Sequence, residues 1–263
     1  MTDSAAPLLE LADVSKSFGK VVVADSLSLR VGGGDMIGIV GPNGAGKTSL
    51  FSLISGDLPP DSGEIRIGGA VVNRLGAAAR CRLGIGRTYQ VPRPFGAMTV
   101  FENVLVAVQQ GGGLRRGASY ERAAAVLART GLTAEANSPA ERLGLLQRKR
   151  LELARALATA PRLLLLDEVA GGLTDPEVAQ LVEIVTAIRA DGVAVIWIEH
   201  VVRALTAVVS RLLCLTGGAF VGDGTPAEVL ATPAVREVFL GSDVTASLTG
   251  GTLDEDLIGE DTP

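Results

Sequence analysis

Gly41-Pro42-Asn43-Gly44-Ala45-Gly46-Lys47-Thr48 reads G-x-x-x-x-G-K-T, the spacing of a loop that wraps nucleotide phosphates. An apolar run, Met36 to Val40, precedes it and has the character of a buried strand. Ser49-Leu50-Phe51-Ser52-Leu53-Ile54 follows it and has the character of a helix start. Strand, loop and helix in that order predict a phosphate site, against the plainer reading of a glycine-rich turn. Glycines let backbone N–H groups crowd around phosphate oxygens where a Cβ would clash. The helix N-terminus adds its dipole. On this reading Gly41, Pro42, Asn43, Gly44, Ala45, Gly46 and Ser49 line the nucleotide. Lys47 supplies a cation to the terminal phosphates, and Thr48 a hydroxyl for Mg²⁺.

A second motif lies far downstream. Leu163-Leu164-Leu165-Leu166-Asp167-Glu168 predicts a strand buried on both faces that projects acids from its C-terminal end, where α/β proteins bind ligands. Asp167 is placed to hold Mg²⁺ through water, and Glu168 to polarise an attacking water as general base. The alternative is a core strand ending in two solvated acids.

Composition narrows the class. The chain has 263 residues, 47% of them hydrophobic, and a formal net charge of −5. That is enough apolar surface for a large core, and the acidic balance argues against a general nucleic-acid binder. No apolar run reaches the length of a membrane span, and Met1 to Glu10 lacks a basic segment followed by an apolar one, so no signal peptide is expected. Cys81 and Cys214 have no metal-ligand spacing and read as reduced thiols, and a single histidine excludes His-rich metal sites.

Texture divides the chain in three. Residues 8–88 carry short β-like runs: Leu8–Val14, Val21–Val23, Leu27–Val31, Met36–Val40, Glu64–Ile67 and Gly84–Thr88. Residues 91–160 read as helices, with a Thr99/Glu102 capping box, a helix capped by Ser119 that ends near Gly131, and another from Gln147 to Ala160. From residue 162 strands and helices alternate. A helix runs from Asp175-Pro176 to Ala190, a buried strand spans Val193–Ile198, and a hairpin turns at Gly217-Gly218. That alternation predicts a parallel α/β core. The acidic tail 242–263 is expected to be loosely ordered.

The long gap from Lys47 to Asp167, filled by a helical block, resembles the nucleotide-binding subunits of ABC transporters, over residues 8–241. The resemblance implies a P-loop NTPase fold with a RecA-like parallel-sheet core, an N-terminal antiparallel β subdomain and an inserted α-helical subdomain at 91–160, so that 1–241 is one ATP-binding domain. It implies ATP and Mg²⁺ as ligands. Three further residues match family positions. Gln90 stands where a glutamine bridges the Mg²⁺ site and the permease-facing surface, the alternative being a surface loop glutamine. His200 stands where a switch histidine contacts the γ-phosphate, the alternative being a core histidine. Phe18 stands where an aromatic stacks on adenine, the alternative being a core phenylalanine.

One motif departs from the family. Where relatives have Leu-Ser-Gly-Gly-Gln or Leu-Ser-Tyr-Gly-Gln, this chain has Leu143-Gly144-Leu145-Leu146-Gln147. Gly144 lacks the serine hydroxyl that reaches the γ-phosphate held by the opposite subunit, a bond of about 1.5–3 kcal/mol. Leu146 replaces a glycine, and left-handed backbone there would add about 1–2 kcal/mol of strain. Val169 stands for the usual proline, and Thr174 for the usual Asp or Asn, which leaves Asp175 to cap the next helix.

Gly84–Gln90, Met98–Val104, Ala154–Thr159, Ile198–His200 and Gly224–Val229, the last followed by a short helix to Gly241, look like the ATPases of branched-chain amino acid uptake systems. Importers of urea and short amides share these segments. Such importers pair two different ATPase chains beneath two permeases, with a solute-binding protein, at the cytoplasmic face of the plasma membrane. The expectation is therefore an ATP-hydrolysing subunit in a heterodimer. A nucleotide-dependent scaffold with weak hydrolysis is the alternative. A soluble ATPase acting on DNA or ribosomes would need basic surfaces, a long coiled coil or two cassettes, and none is visible.

Overall fold

Leu163 to Leu166 alternate between two cores, and that alternation explains the layering of the molecule. The computed structural model describes residues 6–113, 116–200 and 202–240. In strand β7 (Leu163–Asp167), Leu163 and Leu165 enter one apolar cluster while Leu164 and Leu166 enter the other. The same period of two runs through β3 (Met36–Val40), where Ile37 and Ile39 face one way and Met36 and Val40 the other. It runs through β8 (Ala194–Ile198) as well, where Val195 and Trp197 face away from Ala194, Ile196 and Ile198. Strands covered on both faces need continuous apolar sequence, which is why these three runs were legible.

The central sheet has the order β10-β9-β3-β8-β7-β6, with β6 (Ile85–Arg87), β9 (Arg211–Thr216) and β10 (Ala219–Gly224) completing it. All neighbours are parallel except the β9/β10 hairpin at the edge. One face packs on helix α1 (Lys47–Ser55) and on a four-stranded antiparallel sheet. That sheet has the order β2-β1-β4-β5, from β1 (Leu9–Phe18), β2 (Val21–Val31), β4 (Ser62–Ile67) and β5 (Ala70–Val71). The other face packs on α3 (Val100–Gln110), α4 (Arg116–Arg129), α5 (Leu145–Ala158), α6 (Asp175–Ala190) and α7 (Val202–Thr206).

Several expectations need correction. Val21–Val23 and Leu27–Val31 are one strand, β2, which stays continuous through an irregularity where Ser26 has φ +50°. Helix α2 (Ala77–Arg82) was not expected, because a short Ala-rich segment has no apolar period. Its Arg80 is fully buried and donates to the carbonyls of Leu53 and Ile54 at the end of α1 and to Val72 and Leu75. The guanidinium thus satisfies carbonyls at the negative end of the α1 dipole. Ser119 is not a cap: it is buried inside α4, which starts at Arg116. Helix α5 begins at Leu145 rather than Gln147, and Ala160 lies beyond its end with φ +56°. Thr174, not Asp175, stands at the cap of α6, its N–H and hydroxyl both donating to Glu177. The single helix expected before Gly241 is two, α8 (Pro226–Ala231) and α9 (Pro233–Leu240). The Thr99/Glu102 box does cap α3, with both reciprocal bonds present. The reading of 242–263 as a loose tail concerns residues outside the described ones.

Candidate nucleotide-binding and hydrolysis site

The loops after β3, β8, β7 and β6 leave the same edge of the sheet side by side, because those strands are neighbours running in one direction. This edge is where α/β sheets bind ligands. It gathers Gly41–Thr48, His200, Glu168 and Gln90 from four separate stretches of sequence.

The glycines of the first loop have a second role. A Cβ on Gly41, at φ +155°, would lie 2.0 Å from the Leu215 carbonyl oxygen, and one on Gly46, at φ +104°, 2.3 Å from that of Val23. The loop is thus pressed against β9 and β2 as well as shaped for phosphate. The hairpin turn seals it, since Gly218 donates to Ala45 O and accepts from Asp25 N–H. Lys47 is buried at the first turn of α1, and its Nζ donates to the Gly41 and Pro42 carbonyls at 2.7 and 2.9 Å. Burial pushes its pKa down, and Glu168 and Asp167 oppose that shift. A phosphate oxygen would offer this ammonium a charged acceptor in place of two neutral carbonyls.

Asp167 is buried, with Oδ2 3.4 Å from Arg87 and its N–H bonded to the Thr88 hydroxyl. Burial raises its carboxyl pKa, partly offset by Arg87. Oδ1 is buried without any hydrogen-bond partner among the described residues. A buried carboxylate oxygen left open in this way fits a cation. Thr48 is exposed at the neighbouring helix start. No set of three or more His, Cys, Asp and Glu that could cage a metal occurs among the described residues. One or two protein oxygens complemented by phosphates is the arrangement magnesium accepts.

Glu168 has φ +49°, a conformation that costs a non-glycine residue on the order of 1–3 kcal/mol unless its surroundings enforce it. Four bonds hold the residue here. Its N–H donates to Ile198 O at 2.9 Å, its carbonyl accepts from Lys149, and its carboxylate is held from two sides. His200 Nε2 lies 2.7 Å from Oε1, and the Gln90 amide donates to Oε2. The turned backbone aims this carboxylate beside Asp167 rather than into the core. His200 is therefore no core histidine, its side chain being 43% exposed, and Gln90 is an exposed loop residue whose amide meets Glu168. Phe18 is no core phenylalanine either: it is exposed at the tip of the β1/β2 hairpin, 5.6 Å under Lys16 Nζ.

The altered segment lies elsewhere. Among the described residues no hydrogen bond or ion pair joins residues 143–147 to Lys47, Thr48, Asp167 or His200. Leu143 is extended and buried, Gly144 caps α5 with φ −67° and ψ 175°, and Leu145 and Leu146 are its first two helical residues. Leu146 has ordinary right-handed backbone, so the left-handed strain expected there does not arise. Leu145 is exposed, and its Cδ2 lies 3.2 Å from where a Gly172 Cβ would stand.

Sequence reasoning missed four residues that organise this edge. Arg87 joins Asp57 to Asp167 and lies over the rings of Phe51 and Tyr89. Lys149 and Glu152 sat unnoticed in a helix that read as merely basic. Glu199 is buried, and its Oε1 accepts from Ala170 N–H at 2.6 Å and Trp197 Nε1 at 3.1 Å, tying β8 to the turn after Glu168. A charged residue flanked by Ile198 and His200 at a strand end was the one available signal.

Burial raises the Glu199 pKa from 4.5 to about 7, against the lowering effect of those two bonds and of Lys149. A carboxyl whose folded pKa is raised stabilises the fold below its unfolded value and loses that contribution as pH climbs through the folded value. The Glu199→Gln variant keeps both acceptor contacts and cannot ionise. Its melting temperature should therefore rise relative to wild type as pH goes from 4.5 through about 7, by an amount worth about 3 kcal/mol at most. Parallel melting curves across that range would contradict a buried titrating Glu199.

Comparison with known proteins places this geometry. Residues 24–171 match the ABC transporter family profile, ABC_tran. The high-affinity branched-chain amino acid transport ATP-binding protein BraF of Pseudomonas aeruginosa is 33% identical over 250 residues, 89% of this chain and 98% of the relative. The lipopolysaccharide export system ATP-binding protein LptB of Acidithiobacillus ferridurans is 34% identical, over 89% of this chain and 97% of the relative. Among solved structures, an ATP-binding cassette of an ABC transporter in its ADP conformation superposes with a TM-score of 0.81 at 27% identity, over 89% of this chain and 99% of that one.

Proposed function

The chain belongs to the ABC transporter ATP-binding family, and from that premise we propose that it hydrolyses ATP to drive uptake of branched-chain amino acids or related small amides. The observation that carries the hydrolytic part is Glu168, forced to φ +49° and gripped by Gln90 and His200 beside a buried, half-open Asp167. Uptake is supported by the segments Gly84–Gln90 and Met98–Val104 and by 33% identity to BraF. The second reading is lipid export, favoured by 34% identity to LptB.

The residues divide the work as follows. Backbone N–H groups of Gly41–Thr48 and the Lys47 ammonium hold the β- and γ-phosphates, Ser49 adds to the helix start, and Phe18 offers its exposed face to adenine. A magnesium ion held by Thr48 and Asp167, with Gln90 nearby, would neutralise charge on the phosphates. Glu168 takes a proton from water as the water oxygen attacks the γ-phosphorus. The bond from that phosphorus to the bridging oxygen breaks, and ADP and phosphate leave. His200 contacts the transferred phosphoryl group from the adjacent strand end. Each carboxylate oxygen of Glu168 keeps a lone pair beyond the one its partner occupies, so the grip does not block proton transfer.

Gly144–Gln147 at the α5 N-terminus would complete the site of a second, different ATPase chain, which would complete this one in return. Among the described residues no helix is long and apolar enough to cross a membrane. Separate permeases would receive the work, as kinship to amino acid transport ATPases supports. A groove suits that contact: two adjoining hollows of about 220 and 280 Å³ share Cys81, Ala107, Arg155 and Thr159. Exposed Tyr89, Val91 and Phe95 stand at this groove and on the loop beside it. We place the chain at the cytoplasmic face of the plasma membrane through that contact.

Binding of MgATP to the isolated chain tests the nucleotide half of this reading. Lys47→Met removes a charged donor and should weaken affinity by about tenfold or more. Unchanged affinity would contradict the assignment of the loop. Leucine uptake into vesicles holding the assembled complex tests the transport half, and failure there with intact ATPase activity would favour export.

A further inference from the structure

One face of α5 grips the loop that carries Gln90. Lys149, Glu152 and Arg155 stand three residues apart, so they share a face of the helix. Burial raises the Glu152 carboxyl pKa, and Arg155 with the nearby Arg93 and Tyr89 backbone N–H groups opposes that rise. Arg155 donates to the Arg93 carbonyl at 2.8 Å and to Glu152 at 2.9 Å. Lys149 Nζ donates to the Gln90 carbonyl at 3.1 Å and to the Glu168 carbonyl at 3.0 Å. Lys149 and Glu152 are only 5% and 4% exposed, so these bonds are made away from water, where an unmatched partner is costly.

Lys149 differs from the other two. Its single ammonium joins the backbone of Gln90 to the backbone of Glu168, whose side chains already meet. The Gln90–Glu168 pair is thereby closed into a ring, with the strained φ of Glu168 inside it. Lys149 also lies one turn from the helix start, just beyond Gly144–Gln147. A helix is stiff along its axis, so a displacement at that start is delivered to the ring.

We propose that Lys149 is a positioning residue for hydrolysis, fixing Gln90 and Glu168 relative to each other and making their spacing follow what the α5 N-terminus touches. This rests on the hydrolytic reading of Glu168. In consequence, nucleotide bound in the opposite subunit is sensed by this chain's own base through α5, without passing through the phosphate loop.

The test compares Lys149→Met, Lys149→Arg and Glu168→Gln in the assembled complex. Lys149→Met should lower kcat by about tenfold or more and leave KM for ATP and the chain's affinity for MgATP within about twofold, while the melting temperature falls because the Gln90 and Glu168 carbonyls lose their donor. Lys149→Arg should recover most of the rate. If Glu168→Gln abolishes activity while Lys149→Met keeps wild-type kcat, the positioning role is wrong and the base assignment stands. If Glu168→Gln is itself active, the hydrolytic reading fails and takes this proposal with it. Should Lys149→Met not fold, Arg155→Met at the more exposed end of the same face serves instead. It should speed hydrogen exchange at the Tyr89 and Arg93 amides and lower kcat, and unchanged exchange with unchanged kcat would overturn the grip.

Discussion

Glu168→Gln should lower the ATPase rate of the assembled complex by about a hundredfold to ten-thousandfold while MgATP still binds. The carboxamide keeps the size of the side chain and can still accept from His200, and Gln90 needs only to turn its amide to stay bonded. The Glu168 N–H donates to Ile198 O and its carbonyl accepts from Lys149 Nζ, bonds that do not involve the Glu168 side chain, so the site should keep its shape at φ +49°. Lys47, Thr48 and Asp167 are untouched. What disappears is a group able to take the proton of water at the moment of attack. Measuring turnover and nucleotide affinity together separates this from a folding defect. Full activity in the variant would sink the assignment of Glu168 as base.

Restoring the altered segment should have the second largest effect, in the opposite direction. Gly144 has φ −67° and ψ 175°, an extended conformation that serine adopts without strain. A Cβ there would meet Gln147 Oε1 at 2.9 Å, and that is the movable end of a flexible side chain. A serine hydroxyl at this cap would serve the helix start and reach the facing nucleotide, a bond to charge worth about 1.5–3 kcal/mol, or about ten- to a hundredfold. Leu146→Gly is the weaker half of the change. Leu146 is helical, so glycine relieves bulk but not strain, and it costs about 1 kcal/mol of helix propensity. The prediction is that Gly144→Ser alone raises activity of the complex by about tenfold and that adding Leu146→Gly gives less than a further tenfold. No gain from either variant would mean that the segment is not what limits the second site.

The central strands were legible because they repeat a pattern set by burial. The strands β3, β7 and β8 are covered on both faces, so each needed an unbroken apolar run. The hairpin at Gly217-Gly218 needed positive φ at both turn residues, at 55° and 82°, and glycine announces that. The phosphate loop, Asp167 and Glu168 stood out by residue type and spacing next to strand ends, Gln90 and His200 by resemblance to the family, and the fold brings Glu168, Gln90 and His200 into contact. What escaped was set by partners far away in sequence. Nothing near Arg80 says that it will be buried on the carbonyls of α1, and nothing near Lys149 says that its ammonium will bridge Gln90 and Glu168. Ser119 and Asp175 misled because a capping residue type is necessary for a cap but is also common inside or just past helix starts. The strain expected at Leu146 assumed a loop where the chain has already become helix.

In the proposed pair the two sites differ: Gly41–Thr48 with Asp167, Glu168 and His200 would form a competent half, and Gly144–Gln147 a weakened contribution to the other. Counting phosphate released in a single turnover of the assembled complex, loaded with two ATP, tests this most directly. One fast phosphate per pair is expected, lost in the Glu168→Gln variant of this chain, followed by a slower second one. Two equally fast phosphates, or a fast phase that survives Glu168→Gln, would contradict it.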